Sequence, residues 1–116
     1  MTEVFVDTNY WVAKVNPNDQ WHERAIEAEY QLGVVHLVTT ESVLIEVLNY
    51  FSSFRTPIRE AAAAAVRCMN NKGEIEVVKQ RPDDFPNGLA LYEARQDKDY
   101  SLTDCISMND ARTRYH

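Results

Sequence analysis

The stretch VFVDTNYW, Val4 to Trp11, decides how the whole chain is read. Three apolar residues in succession, Val4, Phe5 and Val6, have the pattern of a short strand buried on both faces. A carboxylate, Asp7, follows at once, and behind it come the small polar residues Thr8 and Asn9. Leaving a lone charge desolvated at the mouth of a buried strand is costly. Asp7 therefore either caps the turn that follows the strand or shares its position with other groups that make the charge useful.

Outward from that stretch, strands and helices alternate. Trp21, Ala25, Ala28 and Leu32 share one helical face, Asp19 reads as the N-cap ahead of it, and Gly33 ends it. VVHLV (34–38) is a second β-branched run. Residues 39–54, TTESVLIEVLNYFSSF, return to helical spacing, with Val43, Val47 and Phe51 in line and Leu44 and Leu48 beside them. Thr56-Pro57 opens an alanine-rich helix that turns Ile58, Ala62, Ala65, Val66 and Met69 inward and closes near Gly73. IEVV (75–78) is a third strand, a helix runs from about Phe85 to Gln96, and Ser101 begins another whose apolar side is Leu102, Cys105, Ile106 and Met108. This order predicts an α/β fold with a parallel sheet between helices, in which sites gather at the carboxyl ends of the strands.

The chain of 116 residues is read as one domain, 1–116. It is 45% hydrophobic and 26% charged, as ordinary soluble domains are. No apolar run is long enough for a membrane span, and no secretion-type leader opens the sequence, so a cytoplasmic protein without membrane contact is expected. Cys68 and Cys105 have no metal-type spacing and read as reduced core thiols. A net charge of −6 argues against gripping nucleic acid by phosphate neutralisation alone, but not against meeting phosphates through bound metal ions.

Two further carboxylates fit that last possibility. Glu46 lies on a polar stripe with Ser42, Asn49 and Ser53, and alone it would be a solvated helix residue. Asp104 closes SLTD (101–104), the form of a helix capping box. Asp7 ends the first strand, Glu46 rides the helix after the second, and Asp104 opens the final helix, so all three can meet at one sheet edge. Clustered carboxylates repel unless a cation sits among them, and oxygen-only donors suit Mg²⁺ or Mn²⁺.

The ordered pieces VFVDTNYWVA, DQWHERA, TTESVLIEVLN and DKDYSLTDCIS resemble the PIN-domain ribonucleases, most closely the VapC-type toxins of toxin–antitoxin modules. The resemblance spans the chain to about Met108. It implies a three-layer α/β/α fold with a central parallel sheet, Mg²⁺ or Mn²⁺ held by Asp7, Glu46 and Asp104, and metal-dependent endonucleolytic cleavage of RNA. It also matches Thr8, Asn9 and Thr103 to supporting polar positions, and it implies a homodimer neutralised by a small cognate antitoxin. Asp99 is an outer-shell candidate. VapC-type proteins usually carry a fourth acidic residue after one further strand. This sequence stops before such a strand, and Asp110 does not match the position. The expectation is weaker metal binding and a sheet edge open to a partner chain.

Other constellations are thinner. His22 has no serine or cysteine motif beside it, His36 alternates within a strand, and His116 is terminal; none is given a role. Tyr10, Trp11, Trp21 and Phe5 are expected in the core or a protein interface, and Arg55, Arg59 and Arg67 in solvent. A haloacid-dehalogenase-like phosphatase would need a second acid where Asn9 stands, and a receiver domain would need paired acids ahead of its phosphorylated Asp. The non-enzyme alternative is a catalytically impaired PIN fold that serves as a dimerisation or antitoxin-binding module.

Overall fold

The computed structural model describes residues 3–33, 35–72 and 75–114. In chain order the elements are β1 (Glu3–Phe5), α1 (Thr8–Val15), α2 (His22–Leu32), β2 (His36–Thr40), α3 (Glu41–Tyr50), a 3₁₀ turn (Phe51–Ser53), α4 (Thr56–Lys72), β3 (Ile75–Val78), α5 (Asp84–Ala94) and α6 (Leu102–Arg114). The three strands form one parallel sheet in the order β1-β2-β3. Parallel neighbours need long crossovers, which α1 and α2 supply between β1 and β2, and α3 and α4 between β2 and β3.

Alternation along the strands assigns the two faces. Val6, Leu37, Ile75 and Val77 face an apolar core built with Trp11 and Val12 of α1, Val43, Leu44 and Val47 of α3, Phe51, and Ala62 and Met69 of α4. Trp11, Val47, Phe51 and Ala62 are at most 1% exposed, so this is where the apolar stabilisation of the fold is concentrated. On the other face α6 closes against β2, where the Thr40 and Ser107 hydroxyls meet at 3.4 Å. Helix α5 packs on α6 at Gly88, where a Cβ would collide with the Ile106 side chain and stand 3.3 Å from its Cα. The expected α/β/α layering is what the chain adopts.

Several boundaries differ from the sequence reading. Helix α1 occupies residues that periodicity left unassigned, and the Asp7 carboxylate is its N-cap. Strand β2 lies two residues later than VVHLV, because Thr39 and Thr40 stay in the ladder and Thr40, in extended conformation, caps α3 with its hydroxyl on the Val43 N–H. The helix expected over 39–54 ends as α3 at Tyr50 and tightens into the 3₁₀ turn. Asp19 accepts from the Trp21 N–H at 2.8 Å, steadying the approach to α2 rather than its first turn. Gly33 ends α2 with φ of 65°, a conformation that side chains disfavour. Val34 and Gly73, assigned to the start of a strand and the end of a helix, lie outside the described residues.

The main correction concerns β1, which is not buried on both faces: Phe5 is 42% exposed, while Val6 is 6%. On the core-facing side Val4 is half-buried, and only Val6, just past the strand, is buried. Its carboxyl end is instead held by polar contacts. Val6 donates its N–H to the Val38 carbonyl at 2.8 Å. The Thr39 hydroxyl donates to the Val6 carbonyl at 2.9 Å and accepts from the Trp11 indole N–H at 3.3 Å. Thr39 is wholly buried, so water cannot replace these bonds. Thr39→Val keeps the shape but strands a buried carbonyl and a buried indole donor. It is expected to lower the unfolding free energy by about 2–4 kcal/mol, measured by urea denaturation, while Thr39→Ser retains most of the stability. Equal stability of the Val and Ser variants would show that the hydroxyl does not hold this end of the sheet.

Candidate metal centre

Asp7 stands one residue past the buried Val6, yet it is itself exposed. The cost of a desolvated charge therefore does not arise. Its Oδ1 accepts from the Tyr10 N–H at 3.2 Å, which caps α1 and uses one carboxylate oxygen. Thr8 and Asn9 form the first turn of α1, Thr8 half-buried and Asn9 exposed.

Asp104 is built in the same manner. The Ser101 N–H donates to Asp104 Oδ2 at 3.1 Å, and the Asp104 N–H donates to Ser101 Oγ at 3.0 Å, which is the reciprocal capping box read from SLTD. Thr103 is half-buried within that first turn. Asp7 and Asp104 line one cavity of about 430 Å³, walled by Phe5, Val43, Tyr100, Ser107 and Met108. Two residues far apart in sequence are thus brought to the carboxyl end of the sheet, each at a helix N-terminus, where the helix dipole favours negative charge.

Glu46 is half-buried on α3, one turn beyond Val43 and on the same side of that helix. It does not line the cavity with Asp7 and Asp104. Among the described residues, the group of three metal-type side chains with donor atoms within 4.8 Å of one another lies elsewhere and contains none of the three acids. Asp99 borders a separate depression with Arg95, Lys98 and Tyr100. The side chain of Asp110 lies outside the described residues.

The donor set of the cavity nonetheless suits a hard cation. Asp7 and Asp104 offer oxygen only, and among the described residues the cavity walls carry no imidazole or thiol. Mg²⁺ is held through one or two carboxylates, keeps several waters, and completes its shell on substrate phosphates. Two acids lining one open cavity meet that description, and Glu46 stands one turn of α3 beyond Val43, which also lines it.

Neighbouring groups are buried or engaged in hydrogen bonds. Cys105 follows Asp104 but is fully buried. Burial pushes its thiol above the ordinary range, the Asp104 carboxylate adds to this, and the Arg95 guanidinium opposes it. Tyr10, on the first turn of α1, donates its hydroxyl to Glu29 at 3.0 Å. Burial and that carboxylate raise its pKa beyond the usual phenol range. Lys14 joins the same Glu29 at 2.9 Å, tying α1 to α2. His22 bonds through Nδ1 to the Ala13 carbonyl at 2.7 Å, a packing role. The described residues include no helix long and apolar enough to cross a membrane.

The fold that carries this arrangement is that of the VapC-type PIN-domain proteins. Among solved structures the chain is similar to VapC20 of Mycobacterium tuberculosis, a toxin that cleaves the sarcin–ricin loop. The TM-score is 0.81 at 22% sequence identity, over 96% of this chain and 82% of that one. No protein-family model matches the sequence, and a search of curated proteins finds no match. The likeness of fold extends the resemblance read from the four sequence pieces to three dimensions.

Two thiols in unlike settings provide a check on the packing around Asp104. Cys68 is exposed and Cys105 buried. A thiol reagent such as DTNB is expected to modify Cys68 promptly in the native protein and to reach Cys105 only on denaturation. Prompt reaction of both would mean that α6 does not close over the sheet as described.

Proposed function

We propose that this chain is a metal-dependent endoribonuclease, the toxin of a type II toxin–antitoxin module. The observation that carries the reading is the meeting of Asp7 and Asp104 in one cavity at the carboxyl end of the sheet, in a fold shared with a toxin that cleaves the sarcin–ricin loop. Asp7 and Asp104 hold Mg²⁺ or Mn²⁺, with Glu46 of α3 as the third acid. When bound, such an ion supplies Lewis-acid charge to the phosphodiester and lowers the pKa of water.

The chain's own residues set the stage for that chemistry. The caps on α1 and α6 use one oxygen each of Asp7 and Asp104 and so hold both carboxylates in place. Asn9 and Thr8, on the first turn of α1, and Thr103 on that of α6 are the supporting polar groups. Asp99, at a distance on the α5–α6 connection, is at most an outer contact through water. The N-termini of α1 and α6 add positive dipole ends near the position of an RNA phosphate. An overall charge of −6 means that the substrate is drawn in locally rather than by the whole surface.

The partners follow from the same reading: an RNA substrate, a small cognate antitoxin and a second copy of the chain, in the cytoplasm. Ile45, Leu48 and Tyr50 of α3 are exposed apolar residues on one helix, which supports a protein contact there.

The test is cleavage of RNA, including a sarcin–ricin loop oligonucleotide, with Mn²⁺, with Mg²⁺ and with EDTA. Cleavage is expected with either ion and not with EDTA. Residues that only orient metal ligands are typically worth 10–100-fold. Asp7→Asn and Asp104→Asn are therefore each expected to cost about 100-fold or more, and Asn9→Ala about 10-fold or more. Cutting that persists in EDTA, or in the Asp7→Asn variant, would sink the proposal. A folded chain that binds an antitoxin without cutting RNA would favour the impaired, binding-only module.

A further inference from the structure

The group of metal-type side chains that does converge lies at the opposite end of the strands. Glu3 opens β1, His36 opens β2, and Glu76 is the second residue of β3. Glu3 is registered directly against His36, and Glu76 against Val38, so Glu76 stands diagonally from His36. By alternation all three point to the face away from the apolar core. The long glutamate side chains of the outer strands reach in over the central imidazole. One donor atom from each lies within 4.8 Å of the others, and His36 Nε2 is 2.9 Å from Glu76 Oε1.

We propose that Glu3, His36 and Glu76 form a second metal site, selective for a borderline transition dication such as Zn²⁺, that staples the three strands together. Neutral imidazole with two carboxylates is a Zn²⁺-type donor set, with water at the remaining position. Around one zinc ion with bonds of about 2.0–2.2 Å, donors stand roughly 3.3 Å apart. Small side-chain adjustments bring the present group to that spacing. An imidazole donor does not suit Mg²⁺, which prefers oxygen and retains its water. The site is therefore chemically distinct from the Asp7–Asp104 cavity. It is also separate in space, since the four residues from Glu3 to Asp7 span about 13 Å along an extended chain. His36 and Glu76 side chains are 33% and 39% exposed, open enough for an ion to enter. The ladder that orients the donors exists only in the folded protein, so the ion stabilises the folded state by mass action. This proposal stands apart from the nuclease reading and does not depend on it.

The experiment is Zn²⁺ titration of the full chain by calorimetry, in an Asp7→Asn/Asp104→Asn double variant that disables the other centre. One equivalent of Zn²⁺ is expected to bind and to raise the melting temperature, with excess Mg²⁺ unable to displace it. Co²⁺ in its place is expected to give visible d–d absorption. His36→Gln and Glu76→Gln are each expected to weaken Zn²⁺ binding tenfold or more, whereas His22→Gln leaves it unchanged. Should either site variant fold poorly, imidazole-nitrogen NMR of the unaltered chain decides the matter: Zn²⁺ is expected to shift the His36 Nε2 signal and no other ring. Absence of Zn²⁺ binding in the double variant, affinity in the His36→Gln and Glu76→Gln variants unchanged from their parent, or an unshifted His36 signal would overturn the proposal.

Discussion

A single buried hydroxyl holds the carboxyl end of the sheet in place. Thr39 joins three elements at once, donating to the end of β1 at Val6 and accepting from Trp11 of α1 while its own backbone continues β2. Strand β1 is three residues long and its core-facing Val4 is only half-buried, so apolar burial alone is a weak anchor for it. A hydrogen bond in a dry site is directional, and its loss leaves partners that water cannot satisfy. Asp7 follows Val6 directly, so the position of the first acid depends on that hydroxyl.

The carboxylates of the cavity perform a structural task and offer a chemical one. Each closes the N-terminus of its own helix, worth about 1 kcal/mol in a typical cap, and each retains an oxygen for something else. These roles support one another. A capping carboxylate is held to the axis of a rigid helix, and the two helices are fixed through Trp11 on one side and Ser107 on the other. Glu46 has no such cap bond. It projects from the middle of α3, the helix that packs into the core through Val43 and Val47.

At the amino end of the same sheet the arrangement is different in kind. Glu3, His36 and Glu76 sit on strands, not helices, and their meeting depends on register. A shift of one residue in any strand would turn its side chain to the other face. The two ends of one short sheet thus present an oxygen-only pair and a mixed nitrogen–oxygen triad. Those donor sets differ in the cations they suit.

The sequence by itself determined the elements whose signals are local. IEVV was legible as β3 to the residue, the inward face of α4 as Ile58, Ala62, Ala65, Val66 and Met69, and SLTD as a capping box. Such features depend on side-chain period and on bonds three residues apart, which a linear reading contains. The parallel α/β arrangement followed from alternation, and the candidate acids Asp7, Glu46 and Asp104 from their places at element ends. Tertiary structure alone decided the rest. It extended β2 through Thr39 and Thr40, because those hydroxyls are satisfied only by Val6, Trp11, Val43 and Ser107. It formed α1 from eight residues too few for periodicity to reveal. It brought Asp104 and Asp7 to one cavity that Glu46 does not line, and it gave His36 two carboxylate neighbours that lie 33 and 40 residues from it in the chain. Distances across a sheet are set by which strands pair and in what register, and no residue carries that information alone.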